Sequence, residues 1–236
     1  MKSEKQVVVI LSAMQEELDA VVNHMKEVDS IQLRGISVLE GQLFGKSCVA
    51  ALSGVGKVAS AVTIQTIMLT YNVAYVIFTG VGGALNDAYE IGDIVVARDC
   101  LQHDMDGRGL GFLRGQVPYT DHYVFRTDEQ LSTLALSATT HHTIRQGRVL
   151  TGDQFITDKE QLEFQYLKDE LKGDVVDMEG ASVAYVCRLH QKPFVLVRTI
   201  SDKANNEAPE SFAAFLPEVA ENSVAVIQQI IVNSPF

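Results

Sequence analysis

Acidic side chains stand at the ends of three apolar runs. Glu16 and Glu17 follow VVVILSAM, Asp177 and Glu179 sit inside VVDMEG just before the apolar ASVAYVC, and Ser201 and Asp202 close FVLVRTISD. Burying an unpaired carboxylate is costly, so each acid needs a partner or a ligand. Singly, each has an ordinary structural reading. Glu16, Glu17 and Glu179 suit the first turn of a helix, where the macrodipole favours an acid by roughly a few tenths of a kcal/mol. Ser201 and Asp202 suit a helix or turn cap. Together they place carboxylates after three strands, at the edge where α/β proteins bind ligands. One acid to protonate a leaving group, one to activate water and one to steady positive charge make a hydrolytic set.

The elements that must position these acids alternate along the chain. Strand-like runs fall at 7–13, 47–52, 74–80, 93–99, 147–152, 174–178 and 194–200, and several are unbroken Val/Ile-rich stretches suited to burial on both faces. Helical segments lie between them: QEELDAVVNHMKEV, GKVASAVTIQTIMLT, TDEQLSTLALSA, TDKEQLEFQYLKDEL, EGASVAYVCRLH and LPEVAENSVAVIQQIIV. This order predicts a single α/β domain over 1–236, a three-layer α/β/α arrangement around a mixed, mostly parallel central sheet. RGISVLEGQLFGKSCVA alternates differently and reads as an antiparallel hairpin turning at Glu40–Gly41. The stretch 103–121, HDMDGRGLGFLRGQVPYTD, has no regular pattern, and long loops in compact domains are commonly functional.

Composition sets limits. The 236 residues carry 47% hydrophobic side chains, enough for a large core, and a formal charge of -11, which disfavours binding to nucleic-acid phosphates. No run approaches the roughly 18 apolar residues of a membrane span. The apolar start is followed at once by QEEL and reads as a first strand, not a signal peptide. Cys48, Cys100 and Cys187 are widely spaced and show no disulfide or zinc pattern. A cytoplasmic protein is the expectation.

Other motifs fall short. SGVGKVAS lacks the first Gly of a phosphate loop, with Ala51 in its place, and has Val58 where Ser or Thr is needed, so it reads as a Gly turn opening a helix. GVGGAL has Leu85 in place of the last Gly of a dinucleotide fingerprint, which leaves a Gly-rich turn at a strand end. His103, Asp104 and Asp106 match no strong metal spacing, and no metal site is assigned.

AMQEEL, SGVGKVASA, TGVGGAL, IGDIVVA, HDMD, GDQFI, VVDMEGASVAYVC and VRTISDKAN, in this order and spacing, resemble the 5′-methylthioadenosine/S-adenosylhomocysteine nucleosidases of the nucleoside phosphorylase/hydrolase superfamily. The resemblance runs from about residue 7 to the C-terminus. It implies a cofactor-free homodimer that hydrolyses the N-glycosidic bond of adenine thionucleosides. It also implies roles. Glu17 would activate water and Asp202 would protonate adenine N7. Met178 and Glu179 would bind ribose, and Phe155 and Ile156 would hold the purine. Ala13, Met14, Val55, Val81, Val176, Asp177 and Ser201 would line the pocket, with Phe212 closing over it. Gly107, Leu110, Phe112 and Pro118 would border the partner subunit's pocket. Against that resemblance the chain departs at Val81, where Ser is usual, at Asp177, where Glu is usual, and in the long loop at Gly107, Leu110 and Phe112, where bulkier apolar or aromatic residues are common. Arg108 and Arg114 of that loop meet either solvent or the carboxylate of a homocysteine tail.

Three rival readings stand beside this one. A phosphorylase would need a basic or amide-lined phosphate site, yet Gln15, Glu16 and Glu17 follow the first strand and Thr79 precedes the Gly-rich turn. A futalosine-type hydrolase would reuse the same acids. A non-catalytic nucleoside-binding module would fit better if Glu17, Glu179 or Asp202 were missing.

Overall fold

The computed structural model describes residues 5–236, and for 216–221 the backbone alone. The first half runs β1 (Gln6–Ser12), α1 (Gln15–Val22), β2 (Met25–Leu33), β3 (Ile36–Leu43), β4 (Lys46–Leu52), α2 (Lys57–Thr70), β5 (Asn72–Ala84) and β6 (Ile94–Gln102). Then come β7 (Phe125–Arg126), α3 (Glu129–Leu136), β8 (Ile144–Thr151), α4 (Gln165–Asp169), β9 (Val175–Asp177), α5 (Gly180–Leu189), β10 (Phe194–Asp202), α6 (Ala208–Asn222) and α7 (Val224–Asn233).

Side chains alternate across a strand, and β1 shows what that does here. Val7, Val9 and Leu11 enter one core with Ile64 and Ile67 of α2 and Ala181 and Ala184 of α5. Val8 and Ile10 enter the opposite core with Leu18 and Val21 of α1, Leu131 of α3 and Ile227 and Ile230 of α7. Both faces are covered, which is why the strand is apolar throughout and the fold has three layers. The sheet is mixed, as expected.

Its order is β10-β6-β8-β9-β5-β1-β4-β3-β2, and β5 pairs with β10 as well. Strands β5, β10, β6, β8 and β9 therefore close a circuit, from which β1, β4, β3 and β2 extend. The circuit closes at the glycines. Gly83 pairs with Asp202 on one side and with Val176 on the other. A Cβ at Gly83 would lie 2.8 Å from Asp202 Oδ1, and one at Gly82 2.9 Å from Val176 O. The sequence reads GVGG as a turn; the structure keeps it in strand to Ala84, because glycine lets three backbones converge.

Other boundaries also move. The first helix stops at Val22, and β2 takes up Met25–Leu33. The hairpin turns at Phe44–Gly45, with φ of 47° and 84°, not at Glu40–Gly41, which is mid-strand. Positive φ at both turn residues matches the twist of the flanking strands. The helix expected over 157–171 is reduced to a 3-10 turn at Leu162–Phe164 and the five residues of α4. The last helix starts earlier, at Ala208, and breaks at Ser223 into α6 and α7. Among the described residues, no helix is long and apolar enough to cross a membrane. All three cysteines are free and buried.

Candidate active site

The ends of β1, β5, β9 and β10 open on one cavity of about 240 Å³. It is lined by all fourteen residues expected at the catalytic and nucleoside-binding positions: Ala13, Met14, Glu17, Val55, Val81, Phe155, Ile156, Val176, Asp177, Met178, Glu179, Ser201, Asp202 and Phe212. Five further residues line it: Gly80, Gly82, Gly83, Gln154 and Arg198.

Glu17 is the third residue of α1 and turns back over its own helix start. Its Oε2 accepts from the amides of Ala13 (2.9 Å) and Met14 (3.0 Å), and Oε1 accepts from Val81 N (2.9 Å). Glu17 is thus the first-turn acid expected, it also closes a capping box at the helix start, and the same geometry aims the carboxylate into the cavity. A carboxylate has about four lone-pair sites, so three amides leave roughly one for a further donor. Burial raises the Glu17 pKa, against the lowering effect of those amides and of Arg198. Val81 carries no hydroxyl, and its contribution to Glu17 comes through the backbone.

Glu179 caps α5 and is 6% exposed. Its Oε1 accepts from Gly56 N (2.8 Å), at the glycine turn opening α2. Burial, then the neighbouring Asp177, push its pKa up to about 7; Arg198 and Gly56 N pull the other way. Asp202 ends β10. Its Oδ1 accepts from Ala204 N (2.8 Å), and Oδ2 from Ser201 Oγ (2.8 Å). Burial is again the main cause of its raised pKa.

Asp177 stands apart. Its carboxylate accepts from Thr151 Oγ1 (2.5 Å), Gly180 N (3.0 Å) and Arg198 Nε (3.0 Å). Oδ2 is taken up by Gly180 N and the Arg198 guanidinium while Oδ1 carries the Thr151 hydroxyl alone, so Asp177 is tied into the cavity floor by the scaffold. Arg198 is the residue that sequence reading missed, hidden inside an apolar strand. A signal existed: an arginine in a buried strand needs an acid as much as Asp177 needs a cation.

At the mouth, Phe155 and Phe212 meet edge to face, ring centroids 5.7 Å apart. Gly107, Leu110, Phe112 and Pro118 do not line this cavity. Leu110 is 64% exposed. The loop arginines both carry ion pairs within the chain, Arg108 while half exposed and Arg114 while nearly covered. Arg108 pairs with Asp106 (2.7 Å), and Arg114 with Glu170 (3.2 Å) while lying over the Tyr166 ring. His103, Asp104 and Asp106 go to separate partners: Tyr166, Lys57 and Arg108. Among the described residues, no group of three or more His, Cys, Asp or Glu is arranged to hold a metal ion.

The family model of the phosphorylase superfamily matches residues 7–232. A 5′-methylthioadenosine/S-adenosylhomocysteine nucleosidase of Marinomonas sp. is 35% identical, covering 95% of this chain and 98% of its own. An aminodeoxyfutalosine nucleosidase of Helicobacter pylori is also 35% identical, covering 94% and 96%. The Neisseria meningitidis 5′-methylthioadenosine/S-adenosylhomocysteine nucleosidase, solved with methylthio-immucillin-A, superposes with a TM-score of 0.90 at 32% identity, over 97% of this chain and 99% of that one. The chain belongs to the phosphorylase superfamily and, within it, to the family of 5′-methylthioadenosine/S-adenosylhomocysteine nucleosidases, which are N-glycosyl hydrolases.

Proposed function

We propose that the protein hydrolyses the N-glycosidic bond of 5′-methylthioadenosine and S-adenosylhomocysteine, giving adenine and the corresponding thioribose, with 5′-deoxyadenosine a further candidate. The observation that carries this is one cavity faced by three buried carboxyl groups, Glu17, Glu179 and Asp202, all with raised pKa. Ribosidic cleavage builds positive charge on the sugar and negative charge on the base, as in glycosidase transition states. Asp202 retains its proton more readily than a free Asp and donates it to N7 of the leaving adenine. Glu17 takes a proton from the attacking water at its remaining lone pair. Glu179 accepts from the ribose hydroxyls. Both glutamates, poorly solvated when ionised, gain as the sugar becomes cationic beside them.

Water rather than phosphate is the nucleophile in this reading. The cationic lining residue, Arg198, commits Nε and Nη2 to Asp177 and Nη1 to Val197 O. The assay is adenine release from methylthioadenosine, adenosylhomocysteine and 5′-deoxyadenosine, with and without phosphate. Equal rates and the free sugar are expected, thioribose from the two thionucleosides and the 5-deoxy sugar from 5′-deoxyadenosine; a sugar 1-phosphate among the products would overturn hydrolysis. One apolar contact is worth roughly 10- to 200-fold, so the specificity constants for the two thionucleosides should differ by less than about 1,000-fold. Aminodeoxyfutalosine belongs in the same panel, because the relative named for it is as similar as the methylthioadenosine one.

The same reading extends to a cytoplasmic homodimer serving methionine salvage, with the 103–118 loop of one chain bordering its partner's pocket. Val58, Val62, Leu69 and Leu110 are exposed, and apolar patches of this kind mark partner surfaces. Sedimentation should give a dimer; a monomer fully active at nanomolar concentration would contradict it.

A further inference from the structure

Three chain segments close a ring of hydrogen bonds beside the cavity. Asp104, just past β6, accepts from Lys57 Nζ at Oδ1 (2.6 Å) and from Asp153 N at Oδ2 (3.0 Å). Asp153, just past β8, accepts from Lys57 N at Oδ1 (2.8 Å). Every pair among the three residues is therefore joined. The Lys57 and Asp104 side chains are only 17% and 24% exposed, which limits competition from water.

The ring stands on a rigid base. His103 is fully buried, and its Nδ1 bonds the Tyr166 hydroxyl (2.9 Å). Its amide donates to Thr151 O (2.8 Å). Its ring lies so close to Gly152 that a Cβ there would fall 2.2 Å from Nε2. Only glycine lets the end of β8 rest against the imidazole.

On both sides the ring's neighbours are site residues. Gly56, whose amide holds Glu179, precedes Lys57. It has φ of 89°, and a Cβ there would lie 3.0 Å from Asp153 Oδ1. Gln154, Phe155 and Ile156, which wall the cavity, follow Asp153. None of the three ring residues lines the cavity itself.

We propose that Lys57, Asp104 and Asp153 form a positioning clasp, which fixes the Gly56 amide against Glu179 and holds the 154–156 wall in register with it. The clasp ties the sugar end of the site to the base end. An isolated surface ion pair contributes little to stability, so the value of this one lies in geometry. Displacing a bound reactant by about 1 Å can cost roughly 100-fold in rate. The assignment to sugar and base ends rests on the nucleosidase reading above.

The test uses Lys57→Met, Asp104→Asn, the double variant and Lys57→Arg in the full-length protein. It measures kcat and KM for the nucleoside that the wild type cleaves, Gly56 amide exchange by NMR in the free protein, and Tm. Each single loss should lower kcat/KM by about 10- to 100-fold, with KM raised as well as kcat lowered. The double variant should be no worse than the poorer single, since the ring opens once. Lys57→Arg should recover most of the loss. Gly56 exchange should quicken at least about tenfold with Tm little changed, a pattern that general destabilisation does not produce. Unchanged Gly56 exchange in the singles, or losses that add in the double, would overturn the clasp. If the wild type cleaves no nucleoside, the nucleosidase reading fails, while Gly56 exchange still decides whether the clasp exists. Should Asp104→Asn not fold, Lys57→Met carries the same readouts.

Discussion

Arg198 and Asp177 meet in the floor of the cavity, Nη2 to Oδ2 at 2.9 Å, each side chain 1% exposed. The acid that the sequence left without a partner is paired with an arginine buried inside an apolar strand. The guanidinium also packs over the Phe78 ring, 4.2 Å from its centroid. Removing one member of such a pair strands the other charge in the core, which costs about 3–5 kcal/mol. Arg198→Met should therefore lower Tm by roughly 6–20 °C, the span expected for a chain of this size. Thermal unfolding followed by circular dichroism measures it, and a shift under about 2 °C would show that the pair is not needed for stability.

Glu17→Gln, Glu179→Gln and Asp202→Asn should each reduce turnover at least about 100-fold, the usual scale for groups handling protons. Near-normal turnover in Asp202→Asn would remove it from the mechanism.

Stability should move the other way at Glu179. Its folded pKa is raised from 4.5 to about 7, so the stability tied to its neutral form is complete below 4.5 and is lost as pH rises through 7. Gln stays neutral throughout. Glu179→Gln should gain stability relative to wild type above pH 7, by at most on the order of 3 kcal/mol, and gain none at pH 4. Urea unfolding at pH 4 and pH 8.5 makes the comparison; equal differences at the two values would count against a buried, ionising Glu179.

The pH profile of kcat/KM should be bell-shaped. The rising limb reflects ionisation of Glu179, with a midpoint near 7, in a cavity shared with Glu17, whose carboxyl is also raised by burial. The falling limb reflects loss of the proton from Asp202. Arg198 lowers both glutamates. In Arg198→Met the rising limb should move to higher pH, and a limb that stayed in place would falsify this assignment.

Gly83→Ala should perturb Asp202 directly, because the added carbon would lie 2.8 Å from Oδ1. Overpacking of this kind typically costs about 1–3 kcal/mol. Turnover should fall along with stability, whereas Gly109→Ala, with nothing within 4 Å, should leave both unchanged. Equal behaviour of the two variants would show that the close approach at Gly83 is unimportant.

Much of this protein was legible in its residues. The Val/Ile runs established a sheet buried on both faces, because only strands covered by helices on both sides can be apolar at every position. Acids at the ends of such runs marked Glu17, Glu179 and Asp202, because a carboxylate there is tolerated only with partners or a task. Tertiary structure decided the rest. It made GVGG a strand, since closing β5 against β9 and β10 requires backbones nearer than any Cβ allows. It brought all four acids to one cavity and paired Asp177 alone with a guanidinium, that of Arg198 twenty-one residues later. It joined Lys57, Asp104 and Asp153 across 96 residues of chain. Local pattern reports what a residue type tolerates; which partner it finds depends on strand order, and strand order is a property of the whole packed chain.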